Sequence, residues 1–249
     1  MLDDKVKVIG VIMTYNCVHM LRRTLERLPK TAYTQLIVVD DGSADNTLAV
    51  AESLGLLAFT HTHLGYGGNL KFGLAKALEL GADYMVEIHG DGQYASTDAA
   101  LAVAKMEAEG LDFLLGSRFA GHILQPLRDG ISYARYLANL GLSTIDRLIL
   151  QLPLTEFHSG FRVYSAKLFD KLTFAGTSDD YLYSFEIIAQ AKYYDFKVAE
   201  VPVRCDYHEE HTSISLKKST VYAMQTFKVL GLYILSAWCG LPTKLFPKR

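Results

Sequence analysis

Short apolar runs recur along the first 116 residues, each followed by a polar or glycine-bearing segment and then by apolar positions at helical spacing. The runs are Val6–Met13, Leu36–Val39, Leu56–Thr60, Tyr84–Ile88 and Leu111–Leu115, and the spacing predicts helices near 18–28, 44–54, 69–80 and 97–109. Runs that are apolar throughout belong to strands buried on both faces. Alternation with helices makes them βαβ units of a mainly parallel, Rossmann-like α/β sheet. In such a sheet the ligand crevice lies beyond the carboxyl ends of the strands. Three polar segments sit there: Thr14-Tyr15-Asn16, Asp40-Asp41-Gly42-Ser43 and His89-Gly90-Asp91-Gly92-Gln93.

Beyond residue 116 the pattern is less regular. A Gly- and Pro-containing loop at 119–131 precedes a helix at about 132–150, a short strand at Phe161–Tyr164, and helices near 165–172 and 184–194. Lys197–Val203 reads as a further strand, 205–215 as a polar loop, and 216–241 as helix. The expected division is a catalytic unit over 1–215 and a C-terminal helix with a basic tail over 216–249. The chain's 249 residues, half of them hydrophobic, suffice for one large core. A net charge of −2 gives no reason to expect a nucleic-acid partner. Three scattered cysteines, Cys17, Cys205 and Cys239, fit neither a disulfide framework nor a zinc site and suit a reducing cytoplasm. The first ten residues do not read as a signal peptide.

Each polar segment has a plain structural reading beside a chemical one. Asp41 and Ser43 can make a turn and cap a helix, or a carboxylate at a strand end can accept hydrogen bonds from a nucleotide base or ribose. Asp91 can belong to an Asp-Gly turn. It can also join the Gln93 amide as an oxygen ligand for Mg²⁺ or Mn²⁺, whose shell a diphosphate completes. His89 and Gly90 stand at the same edge. Gly68 and Asn69, in Leu64-Gly65-Tyr66-Gly67-Gly68-Asn69, open a helix whose N-terminus favours negative charge; close packing explains the glycines as well. The spacing is wrong for a dinucleotide fingerprint after the first strand, which argues against a Rossmann dehydrogenase.

Taken in order, Thr14-Tyr15-Asn16, Val38-Val39-Asp40-Asp41-Gly42-Ser43, Gly90-Asp91-Gly92-Gln93, Gly116-Ser117-Arg118-Phe119, Ser159-Gly160-Phe161-Arg162 and Val201-Pro202-Val203 resemble family 2 glycosyltransferases. The subgroup is that of dolichol-phosphate mannosyltransferases and bacterial polyprenyl-phosphate glycosyltransferases, and the likeness spans about residues 5–215. It implies a GT-A fold and inversion at the anomeric carbon. It also implies that Thr14, Tyr15, Asn16, Asp40 and Asp41 contact the base and ribose of a UDP- or GDP-sugar, with Asp91 and Gln93 as metal ligands. Gly68, Asn69 and Gly90 then lie beside the donor. His89 departs from the pattern, since many relatives have an aspartate there. The likeness places Arg118 and Arg135 beside donor and acceptor phosphates, which suits the planar, permanently charged guanidinium. Arg162 is expected to form internal salt bridges.

The implied acceptor is a polyprenyl phosphate, already anionic and in need of no base. A saccharide hydroxyl is the alternative and requires one, for which Asp179, Asp180 and Glu186 are candidates. A third reading is a catalytically silent nucleotide-sugar-binding module. The His208-Glu209-Glu210-His211 cluster lacks helical metal-site spacing and reads as a loop closing over the donor. Val229 to Leu241 is nearly all apolar and flanked by lysines. It is too short to span a bilayer but suited to lying at the cytoplasmic face of one, or else buried against the domain or in a homo-oligomer contact.

Overall fold

The computed structural model describes residues 6–92, 99–172, 174, 176–205, 207 and 216–248. Seven strands form one sheet in the order β3-β2-β1-β4-β6-β5-β7. They are β1 (Val8–Thr14), β2 (Gln35–Asp40), β3 (Leu57–Thr60), β4 (Tyr84–His89), β5 (Phe113–Ser117), β6 (Arg162–Ser165) and β7 (Val198–Pro202). Only β6 runs against its neighbours; every other pairing is parallel. The helices are α1 (Val18–Arg27), α2 (Thr47–Ser53), α3 (Tyr66–Glu79), α4 (Ala99–Glu109), α5 (Gln125–Arg128), α6 (Tyr133–Leu150), α7 (Tyr183–Tyr193) and α8 (Leu216–Ala237).

Strand β1 is buried at all seven positions because it lies between β2 and β4 with a hydrophobic layer on each face. Ile9, Val11 and Met13 enter one layer with Leu70 and Leu74 of α3, Phe185 and Ile188 of α7, and Val229 and Leu230 of α8. Val8 and Ile12 enter the other, with Leu21 of α1 and Ala102 and Val103 of α4. Helix α3 lies close to the sheet because residue 73 is glycine: a Cβ there would sit 2.5 Å from Val11 Cγ1.

The boundaries differ from the sequence pattern where local bonding intervenes. The third helix begins at Tyr66 rather than 69, because the glycines of its first turn pack on the backbone of 178–180 instead of forming a loop. The fifth strand starts at Phe113 rather than Leu111, whose amide donates to Met106 O and closes α4. The segment near 165–172 is a 3₁₀ turn over Ala166–Asp170. A short α5 interrupts the loop at 119–131.

Register then sets the site. Thr14 pairs with Asp40 and Met13 with His89, so the ends of β2, β1 and β4 lie side by side.

Candidate active site

The strand ends open into a cleft of about 1150 Å³. Thr14, Tyr15, Asp41, Asn69, His89, Gly90 and Asp91 line it together with Arg118, Arg135, Ser159 and Arg162. Asp40, Asn16 and Gly68 do not line it. Asp40 is buried, accepting from Thr14 Oγ1 (3.0 Å) and Ser43 N (2.9 Å), and so ties the end of β1 to the loop after β2. Asn16, at φ 48°, accepts from Ala44 N (2.8 Å), and its own amide donates to Ser43 Oγ (2.8 Å). The Gly68 amide donates to Asp179 O (3.1 Å).

Asp41 accepts from Leu64 N at Oδ1 (2.7 Å) and from Gly65 N at Oδ2 (3.0 Å), and His63 Nδ1 lies 2.8 Å from Oδ2. The carboxylate thus fixes the entry to α3. Tyr15 stacks on His63 with ring centroids 4.5 Å apart and half of its own surface exposed, an aromatic face on the cleft. Asn69 is buried, its amide donating to Val39 O (3.1 Å).

Beneath the cleft lies a charged network that sequence reasoning missed. Glu87, in the middle of β4, receives hydrogen bonds from the hydroxyls of Tyr66 and Tyr164, lies 3.1 Å from His89 Nε2, and pairs with Arg162 Nη1 at 3.4 Å. Burial alone would push its carboxyl up. The Arg162 charge, then the His89 hydrogen bond, override that and hold it at about 2. Burial pulls His89 down, but the Glu87 hydrogen bond and the Glu87 and Asp91 charges raise it overall. The signal in the sequence was a lone acidic residue inside an otherwise apolar strand. Arg162 forms the internal ion pair expected of it, with β4 as its anchor.

Arg118 is held by Glu156: its amide donates at 2.7 Å and Nε at 2.8 Å, and Nη1 also donates to the Tyr207 hydroxyl. Glu156 is fully buried, so this pairing sets the direction of the guanidinium. Among the base candidates, Asp179 lines the cleft but pairs with Lys71 Nζ at 2.6 Å, and Asp180 lines it while accepting from Leu182 N. Glu186 does not line the cleft. It accepts from Ser178 N (2.7 Å) and Oγ (2.8 Å), and burial pushes its carboxyl up against the pull of those bonds.

Among the described residues no cluster of three His, Cys, Asp or Glu could hold a metal by itself. Gln93 and the 208–211 cluster lie outside the described residues. One carboxylate at the cleft wall, with His89 Nε2 turned to Glu87, suits a hard cation whose other oxygens come from a bound diphosphate and water.

A mainly parallel α/β sheet whose strand ends meet in a cleft is the architecture expected of a GT-A fold. The fold matches glucosyl-3-phosphoglycerate synthase from Mycobacterium tuberculosis, solved with Mn²⁺, uridine diphosphate and glucosyl-3-phosphoglycerate. The TM-score is 0.65 and identity 18%, over 96% of this chain and 82% of that one. Residues 11–173 match the family described as Glycosyl transferase family 2, and the chain belongs to that family. It is 29% identical to the UDP-N-acetylglucosamine–dolichyl-phosphate N-acetylglucosaminyltransferase of Methanococcus voltae, over 80% of this chain and 85% of the relative. It is 25% identical to the polyprenol monophosphomannose synthase of Mycolicibacterium smegmatis, over 88% and 84%.

Proposed function

We propose that this glycosyltransferase moves a sugar, with inversion, from a UDP- or GDP-sugar to a polyprenyl phosphate at the cytoplasmic face of a membrane. The observation that carries the reading is that one cleft is lined by Asp91, by Arg118 and Arg135, and by apolar side chains of α6 and α8. The two relatives named for lipid-phosphate acceptors support it.

In this assignment Tyr15 and Asp41 border the nucleoside and Asp91 faces the diphosphate, with Gln93 as a second ligand to Mg²⁺ or Mn²⁺. The cation would spread the negative charge that builds on the departing diphosphate. Arg118 and Arg135 hold the acceptor phosphate, whose oxygen attacks the anomeric carbon on the face opposite the leaving group. The new C–O bond forms as the bond to the diphosphate breaks, and no proton has to be removed. Orientation and charge stabilisation carry the rate.

The surface around the cleft suits a lipid acceptor. Helix α6 exposes Tyr133, Leu137 and Leu148, α8 exposes Val221, Met224, Phe227 and Leu235, and Trp238 just past its end is exposed as well. The opposite side of α8 is anchored in the core by Val229, Leu230 and Tyr233. No helix among the described residues is long and apolar enough to cross a membrane. An apolar face of this kind, with lysines nearby, suits peripheral seating in the lipid interface.

A saccharide hydroxyl is the rival acceptor, with Asp180 as the base at the cleft wall. The deciding experiment incubates the protein with Mn²⁺, radiolabelled UDP- or GDP-sugars, and either a polyprenyl phosphate or soluble sugars. Label that partitions into organic solvent only with the lipid phosphate supports the proposal. Label transferred only to a soluble sugar, and lost on Asp180→Asn, refutes it.

A further inference from the structure

Three side chains that this transfer scheme leaves unused form a continuous polar chain at the cleft, which two of them, His158 and Tyr222, line. His158, just before the Ser159–Arg162 segment, stands between two helices. Its Nε2 is 2.9 Å from Asp146 Oδ2 on α6, and its Nδ1 is 2.9 Å from the Tyr222 hydroxyl on α8. With the carboxylate accepting from Nε2–H, Nδ1 accepts the phenolic proton, so each bond has a donor. The Tyr222 ring meets the imidazole edge-on at 5.5 Å, and Phe185 of α7 stacks beneath it at 5.8 Å.

The arrangement is expensive for a purely structural device. Asp146 is fully buried, and its Oδ1 has no hydrogen-bond partner among the described residues. Burial pushes that carboxyl up, with His158 opposing. Buried polar groups of this kind can often be replaced by packed apolar ones at no loss of stability. What the chain does impose is distance, because one imidazole has to reach both helices at hydrogen-bond length. Those helices supply facing apolar walls of the cleft, Leu142 and Ile145 from α6 and Ala223 and Phe227 from α8.

We propose that His158 is a positioning residue: through Asp146 and Tyr222 it fixes the separation of α6 and α8 that admits the apolar chain of the acceptor next to Arg135. The inference rests on the lipid-phosphate reading. His158 and Tyr222 line the cleft themselves, and the role assigned to His158 is exerted through the two helices.

The test is steady-state transfer to a short-chain polyprenyl phosphate at saturating donor and Mn²⁺, comparing wild type with Tyr222→Phe, which removes one hydroxyl and keeps the ring. Losing one buried hydrogen bond should raise the acceptor KM about tenfold, with kcat within about twofold. The thermal shift on binding nucleoside diphosphate and Mn²⁺ should stay unchanged. His158→Asn, too short to reach both helices, should raise KM at least as much, and adding Tyr222→Phe to it should have little further effect, because both break one link. A lowered melting temperature with wild-type acceptor KM in either folded variant would make the chain structural and overturn the inference, as would an equal loss of donor binding. Wild type that transfers to the lipid while neither variant shifts KM sinks this inference alone. Wild type that never uses the lipid sinks the acceptor assignment and the inference together.

Discussion

Replacing Arg162 with methionine removes the guanidinium paired with Glu87 and leaves that carboxylate buried under the cleft. Glu87 is held at about 2 against an ordinary value of 4.5. A depressed acid is protonated first in the unfolded chain. Its stabilisation is therefore complete above about pH 4.5 and is lost as pH falls toward 2, and a gap of this size corresponds to about 3 kcal/mol. Stripping one partner from a buried pair costs about 3–5 kcal/mol by mutational precedent. The hydroxyls of Tyr66 and Tyr164 still donate to Glu87, which favours the lower end. For a chain of this size the melting temperature at pH 7 should drop by roughly 6–20 °C. The deficit should shrink as pH is taken from 7 toward 3, where the native protein loses the same contribution. Differential scanning fluorimetry across that range, with urea unfolding at the two ends, reads both effects. A loss below about 1 kcal/mol at pH 7, or an equal deficit at every pH, would refute the reasoning.

Four further outcomes are expected. His89 is raised by Glu87 and Asp91, so its contribution is present below pH 6.5 and lost as pH rises through the native value; His89→Gln should flatten the fall in stability above pH 6.5 seen in wild type. Asp91→Ala should abolish the Mn²⁺-dependent part of the thermal shift with nucleoside diphosphate and lower transfer by about a hundred- to a thousandfold, read in a donor-turnover assay. Gly67→Ala places a Cβ 2.5 Å from Asp180 O and 2.9 Å from Ser178 O, both backbone, and should cost about 1–3 kcal/mol in urea unfolding. It should also weaken nucleotide binding, because the 178–181 segment borders the cleft. Met224→Asp on α8 with Trp238→Asp just past its end, both exposed, should reduce co-sedimentation with anionic vesicles while leaving the melting temperature within about 2 °C.

The strand–helix alternation, the parallel sheet and the edge at which the polar segments gather are local properties of the chain. An apolar run with polar ends is visible wherever it falls, and the ordered motifs carried the family. Asp91, Tyr15, Asp41 and Arg118 could be picked out as cleft residues because polar residues directly after buried strands are conspicuous in one dimension, whereas Arg135 was placed by the family resemblance alone. The start of α3 at Tyr66 could not, because its glycines are explained by the backbone of residues more than a hundred positions away. The same holds for Glu87, whose partners Tyr66, Tyr164 and Arg162 come from α3 and the antiparallel β6. Asp40 and Glu186 look like site carboxylates in sequence, yet Thr14 and Ser43 take up one and Ser178 the other. Sequence determined which residues can carry charge, ligate or stack. Tertiary structure alone decided which of them face the cleft and which are neutralised behind it, because burial and the nearest opposite charge depend on distances that the order of residues does not contain.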